Sequence, residues 1–203
     1  MNERGACYIV YGQRAAQEAA QAIGVLRWSS NPSLPITVIG DDPAGEKTHI
    51  AFPDKGMPGR WAKVNLYWLS PYQYTCYLDA DTRVYENLSF GFAALQDGWD
   101  IVIPFSTNQQ RLWLKHIGDE ERKETRAALG FCALQLQAGA FWFGRNERLE
   151  HFFEAWRSEW GRWQGQDQAA LLRALYQVPI KIWLLGQPWC NGEAIRHLFG
   201  RLH

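Results

Sequence analysis

Short runs of this chain are apolar almost without interruption, and the segments between them repeat apolar residues every third or fourth position. "ACYIVYG" (Ala6 to Gly12), "ITVIG" (Ile36 to Gly40), "YTCYL" (Tyr74 to Leu78) and "WDIVIPF" (Trp99 to Phe105) leave no polar face, as expected of strands covered on both sides. An alanine-rich segment from Gln13 to Trp28 predicts a helix after the first run, and "NPSLP" then turns the chain into Ile36. That β-α-β opening implies a parallel sheet. "THIAF" predicts a short third strand, and "GRWAKVNLYWLS" a helix that stops before Pro71, because a residue preceding proline is pushed out of the α region. Farther on, "NLSFGFAALQDG" predicts a short helix, "GDEERKETRAALG" a charged helix or lid with a solvated face, and "LQLQAGAFWFG" a strand interrupted at Gly139. "GQDQAALLRALY" predicts a helix, "VPIKIWLL" a last strand and residues 186–203 an irregular tail. The order of elements predicts an α/β fold in a single domain over residues 1–203, a Rossmann-like, mixed and mostly parallel sheet flanked by helices.

Charge narrows the function classes. Twenty-one basic residues balance twenty-one acidic ones, so no overall field draws in nucleic acid or an anionic membrane, and no broad nucleic-acid surface is expected. No stretch has the length and apolarity of a transmembrane segment, and "MNERGACYIVYG" lacks the apolar core of a secretory signal. A soluble, cytoplasmic protein is the expectation. Cys7, Cys76, Cys132 and Cys190 are scattered with no CxxC pair, which suggests neither a zinc ribbon nor a disulfide framework. The chain has eleven tryptophans, which raises the question of ligand stacking. In "NERLEHFFEAWRSEWGRW", however, Leu149, Phe152, Phe153, Trp156, Trp160 and Trp163 follow helical spacing after Asn146 as N-cap, which assigns that stripe to the core.

The sharpest chemical signal is "YTCYLDADTRV", where a buried strand ends in Asp79 and Asp81 with only Ala80 between them. Residues i and i+2 of an extended chain project to one side, roughly 6 to 7 Å apart. The two charges converge and repel unless a cation or hydrogen-bond donors offset them. A divalent-metal site and a capped surface turn both satisfy that requirement. The pair lies at the carboxyl end of its strand, the edge at which open α/β sheets bind ligands.

With these residues in view, the chain resembles nucleotide-sugar glycosyltransferases of the GT-A fold, especially the retaining family 8 group that includes glycogenin and bacterial galactosyltransferases. The resemblance runs from "ACYIVYG" to "HLFG" and rests on the order and spacing of several motifs. It implies that Asp79 and Asp81 are the metal-binding DxD pair and that His197 of "HLFG" completes the metal site, with Gly200 in the same element. Lys63, sixteen residues before Asp79, would reach the donor diphosphate with Arg60 as helper; on the residues alone, both also read as ordinary helix-surface cations. Gln137 and Gly139 match the family's amide-and-glycine strand beside the sugar, with glutamine here where the family carries asparagine. Asp167 and Gln168 match its DQ element beside the anomeric carbon and are the implied catalytic residues, and Val10, Tyr11 and Gly12 would lie against uracil and ribose. The implied cofactor is Mn²⁺ or Mg²⁺, the donor a UDP-sugar, and the acceptor, to be held by residues 105–134, is unknown.

Three other readings compete. A sugar-nucleotide nucleotidyltransferase would share the fold more closely, but it normally needs an N-terminal glycine-rich, basic loop, and "VYGQRAAQ" has one glycine. A HAD-type phosphatase also uses two aspartates after a buried strand, but has Thr or Val where this chain has Arg83, and its motif usually follows the first strand. A non-catalytic carbohydrate- or nucleotide-sugar-binding protein would share the fold without the reaction.

Overall fold

The computed structural model describes residues 2–29, 31–52, 59–106, 114–131 and 134–198. Its main sheet has seven strands in the order β3-β2-β1-β4-β7-β6-β8. These are β1 (Asn2–Val10), β2 (Ile36–Gly40), β3 (His49–Ala51), β4 (Tyr72–Leu78), β6 (Ile101–Pro104), β7 (Ala140–Gly144) and β8 (Ile182–Leu185). Only β7 runs against its neighbours; the β1–β2, β1–β4, β2–β3 and β6–β8 pairs are all parallel. The fold is therefore the mixed, mostly parallel α/β sheet flanked by helices that the segment order predicts. A second, two-stranded sheet pairs β5 (Thr82–Val84) with β9 (Ile195–His197).

Both faces of the central strands are buried, which explains the absence of polar alternation there, while the edge strands β3 and β8 are partly exposed. Along β1, Ala6, Tyr8 and Val10 pack with Ala19, Ala22, Ile23 and Leu26 of α1 (Gly12–Trp28) and Phe92 of α4 (Ser89–Gln96). Cys7 and Ile9 point the other way, into a core with Phe152, Phe153 and Trp156 of α6 (Glu147–Trp163) and Leu171 of α7 (Asp167–Gln177). The stripe assigned to the core is buried from Leu149 to Trp160, and Trp163 is half-buried at its end. Asn146 caps α6, its side chain accepting the Leu149 N–H at 2.8 Å. Cys7, Cys76 and Cys190 are buried thiols, and Cys132 lies outside the described residues. Among the described residues no helix is long and apolar enough to cross a membrane.

Several elements differ from the sequence reading. "GRWAKVNLYWLS" forms two short helices, α2 (Arg60–Val64) and α3 (Leu66–Leu69), because Asn65 leaves helical geometry (ψ 4°) and turns its side-chain amide back to the Trp61 carbonyl at 2.8 Å. The last strand begins only at Ile182, since Asp100 holds the Lys181 N–H at 2.7 Å. The charged helix α5 (Asp119–Leu129) is a docked element. Arg173 of α7, 2% exposed, reaches Glu121 of α5 at 3.2 Å and Glu159 of α6 at 2.7 Å, while Thr125 and Leu129 are also buried. The tail contributes a short helix, α8 (Pro188–Asn191), and then β9.

Candidate active site

Strand β1 pairs with β2 on one side and β4 on the other, so the strand order reverses at β1 and the crevice outside the carboxyl ends of β1 and β4 is the sheet's switch point. The chain emerges into it from β4 at Asp79. The Asp79 N–H is held by the Gly139 carbonyl at 2.8 Å, and Thr82 closes the turn by bonding the Asp79 carbonyl through its hydroxyl at 2.7 Å. Arg83, buried by the fold, donates to the Ala80 and Thr82 carbonyls and to Gln21 of α1, fixing the loop from beneath.

The β5–β9 ribbon brings the tail to this turn. Its register sets His197 opposite Thr82, and the Leu198 N–H bonds the Asp81 carbonyl at 2.9 Å. His197 Nε2 thereby lies 2.9 Å from Asp81 Oδ1 and 3.8 Å from Asp79 Oδ2. One ligand atom from each of Asp79, Asp81 and His197 falls within 4.8 Å of the others. Two carboxylates and one imidazole at these separations fit a hard divalent ion, with the nitrogen favouring Mn²⁺ over Mg²⁺. The cradle is tight. A Cβ added to Gly139 would sit 2.5 Å from His197 Cε1 and 2.9 Å from Asp79 Oδ2. Gly139→Ala is therefore expected to displace both side chains and lower divalent-ion affinity at least about tenfold, as calorimetry with Mn²⁺ would measure.

Lys63 and Asp167 lie beside the triangle. Lys63 is buried with Nζ 3.0 Å from Asp79 Oδ1, 3.2 Å from Asp167 Oδ2 and 3.2 Å from the Ala138 carbonyl. Tyr77 donates its hydroxyl to the same Asp79 Oδ1 at 2.5 Å, leaving Oδ2 as the oxygen on the His197 side. Burial opposes the lysine charge, but Asp167 and Asp79 outweigh it and hold its pKa above the ordinary value of 10.5. With a raised folded-state pKa, Lys63 stabilises the fold fully below its unfolded value and loses that contribution only as pH climbs through the folded one. Lys63→Met would strand Asp167, itself buried, without a cation. We expect urea denaturation at neutral pH to show a loss of about 3 kcal/mol, the scale for removing one partner of a buried ion pair.

Gln168 and Gln137 extend the cluster. Gln168 Nε2 is 3.3 Å from the Leu136 carbonyl and 2.9 Å from Gln137 Oε1, and Gln137 Nε2 is 2.9 Å from His197 Nδ1. Thus Gln137, expected beside the sugar, has its amide between His197 and Gln168. Asp167 opens α7, and its carbonyl accepts the Trp156 indole N–H at 3.1 Å, so Trp156 buttresses the site from the core, while Trp163 at the end of the stripe lines an adjoining cleft.

A cleft of about 330 Å³ runs past Lys63, Tyr77, Asp79, Asp81 and Asp167, with Arg60 and Gln166 at its edge joined by a 3.0 Å hydrogen bond. Arg60 is exposed there, whereas Lys63 is buried. Val10 is buried and its carbonyl accepts the Asp41 N–H; the Tyr11 hydroxyl bonds the Phe52 carbonyl, and the exposed Gly12 N–H meets Asp41 at 2.9 Å. Gly200 lies outside the described residues. Sequence reasoning missed Glu18, which lines the cleft from α1 and pairs with Arg14 at 3.2 Å. Its signal was a carboxylate on the otherwise apolar face formed by Ala16, Ala19, Ala22 and Ile23.

No protein-family profile matches the chain, and no curated protein matches it by sequence. Solved structures match its fold. The apo structure of the WbbM bifunctional glycosyltransferase aligns with a TM-score of 0.64 and 14% identity, over 91% of this chain and 39% of that one. Apo mouse xyloside xylosyltransferase 1 aligns with a TM-score of 0.60 and 11% identity, over 90% of this chain and 85% of that one. This chain thus spans well under half the length of the WbbM protein and most of the xylosyltransferase. The fold it defines, a seven-stranded and mostly parallel sheet between helices, is one that these glycosyltransferases share.

Proposed function

We propose that this chain is a metal-dependent glycosyltransferase that moves a sugar from a nucleoside-diphosphate donor, a UDP-sugar, to an acceptor with retention of configuration. The observation that carries the reading is the convergence of Asp79, Asp81 and His197 at the sheet's switch point, directly beside the buried Lys63–Asp167 pair. Its fold neighbours, both named as glycosyltransferases, support it.

Cleavage of a sugar nucleotide leaves negative charge on the departing diphosphate, and the site must stabilise that charge where it develops. Asp79, Asp81 and His197 would hold Mn²⁺ or Mg²⁺, which supplies Lewis-acid stabilisation to phosphate oxygens when bound. Lys63 adds a fixed charge from beneath, and Arg60, exposed at the cleft edge, is the cation a diphosphate meets first. Asp167 accepts hydrogen bonds from donor-sugar hydroxyls, with Gln168 next to it in the chain. An adjoining cleft of about 520 Å³ shares Arg60 and Gln166 with the first and is lined by His116, Glu120 and Trp163. It offers the acceptor an approach to the same reacting centre. Arg83 is spent on the turn's own carbonyls, at the position where the phosphatase reading needs a small hydroxyl or apolar side chain.

Incubation with a panel of UDP-sugars and Mn²⁺ tests the proposal. UDP release that stops on chelation is the expected result. Absence of release across the panel, with UDP-sugars still bound, would turn the reading into that of a binding module.

A further inference from the structure

The two glutamines behind the metal triangle carry a consequence for how the site is set. From the main chain outward, the Leu136 carbonyl faces Gln168 Nε2, Gln168 Nε2 faces Gln137 Oε1, and Gln137 Nε2 faces His197 Nδ1. Only the first acceptor is a backbone group and cannot reverse. It fixes the direction of the whole row, because an amide nitrogen must face each carbonyl oxygen. With Gln137 donating to Nδ1, that nitrogen is an acceptor and the ring proton sits on Nε2, 2.9 Å from Asp81 Oδ1. This is a coherent row of donors, from Gln168 through Gln137 to the His197 ring.

A bound divalent ion needs the opposite tautomer. The Nε2 lone pair is required for coordination, so the proton moves to Nδ1, where it meets the Gln137 amino group, donor against donor. Reversing the Gln137 amide removes that clash but sets its amino group against that of Gln168. Reversing Gln168 in turn would set its carbonyl oxygen against the Leu136 carbonyl, 3.3 Å from the amide nitrogen now there.

We propose, building on the metal-dependent reading above, that Gln137 is a positioning residue that couples occupancy at His197 to the amide of Gln168. Loading the site turns both amides and detaches Gln168 from Leu136. The end of Gln168 with no partner among the described residues then changes from its carbonyl oxygen to its amino group. Gln168 thus presents a donor amide in the loaded site alone. Glutamine at 137 has the reach to touch both neighbours, bonding each at 2.9 Å. An asparagine, one methylene shorter, would surrender one of the two bonds.

The test is nuclear magnetic resonance of the intact chain at about pH 8, above the histidine range. Mg²⁺ with UDP serves as the diamagnetic probe, and peaks are assigned with Gln137→Met and Gln168→Met. Without metal, imidazole ¹⁵N shifts should report His197 with its proton on Nε2. Adding the probe should move the proton to Nδ1 and shift the side-chain amide peaks of Gln137 and Gln168 together. In Gln137→Met the His197 change should persist while the Gln168 shift is lost. A metal-free His197 carrying its proton on Nδ1 would overturn the proposal, as would a Gln168 peak that ignores the ion in the wild type or still follows it in Gln137→Met. Failure of the metal reading looks different: His197 would then keep one tautomer at every Mg²⁺ concentration.

Discussion

Asp81→Asn should abolish divalent-ion-dependent UDP binding while leaving the thermal midpoint nearly unchanged. The fold should survive because the structural work of residue 81 is done by its carbonyl, which accepts the Leu198 N–H at 2.9 Å and is retained by asparagine. Its side chain does something else: Oδ1 faces His197 Nε2 at 2.9 Å and supplies one of the two carboxylates of the triangle. Asparagine preserves shape and an oxygen but removes the charge on which affinity for a hard cation depends. Loss of a partner outside the coordination shell costs about 10- to 100-fold in metal affinity, so loss of a charged ligand should cost about 100-fold or more. His197→Ala should cost less, since both carboxylates remain. Calorimetry of UDP with Mn²⁺ and again after chelation makes the comparison. Equal UDP affinity in the two conditions for the wild type would remove the metal from the mechanism.

What the sequence made legible follows from periodicity and local chemistry. Strands β1, β2, β4 and β6 were recognisable because a strand buried on both faces can carry almost no polar residue, and α6 because its apolar residues keep helical spacing behind a good N-cap. The pairing of Asp79 with Asp81 was visible for the same reason: it depends on neighbours in one extended segment. What remained hidden depends on contacts far apart in the chain. His197 was placed with the aspartates by the family resemblance and not by pattern, because it meets Asp81 through the β5–β9 ribbon, whose strands are three residues each and too short to announce themselves. Lys63 reads as a surface cation in its own helix, and nothing local shows that Asp79 and Asp167 enclose it. The break at Asn65 was missed because a side-chain amide that recaptures a carbonyl four residues back competes with a helix that the apolar pattern favours. Docking of α5 was hidden because Arg173, whose charge suggests a wet surface, is buried by carboxylates of two other helices.

Asp167→Asn should reduce turnover by about 100-fold or more, and the product should keep the donor's anomeric configuration. Asp167 is buried at the start of α7, anchored by Trp156 through its carbonyl and by Lys63 through Oδ2. Asparagine keeps the first anchor and weakens the second, so a donor sugar resting on this side chain would shift, and small misplacements of a reacting group carry penalties of this size. Gln168→Ala, which removes a neutral amide, should cost less. The stereochemical expectation follows from the carboxylates along the cleft. An inverting enzyme needs one of them free to take the acceptor proton on the face opposite the leaving group. Here Asp79 and Asp167 are held by Lys63, Asp81 faces His197, and Glu18 is paired with Arg14. With these four engaged, the retaining course has the departing phosphate accept the proton on the face it vacates, whereas an inverting course would draw its base from the adjoining cleft, where His116 and Glu120 line the acceptor's approach. Proton NMR of the first-formed product reads the anomeric coupling directly. An inverted coupling would reassign the chemistry, with Glu18 released from Arg14 as the base to test next by Glu18→Gln.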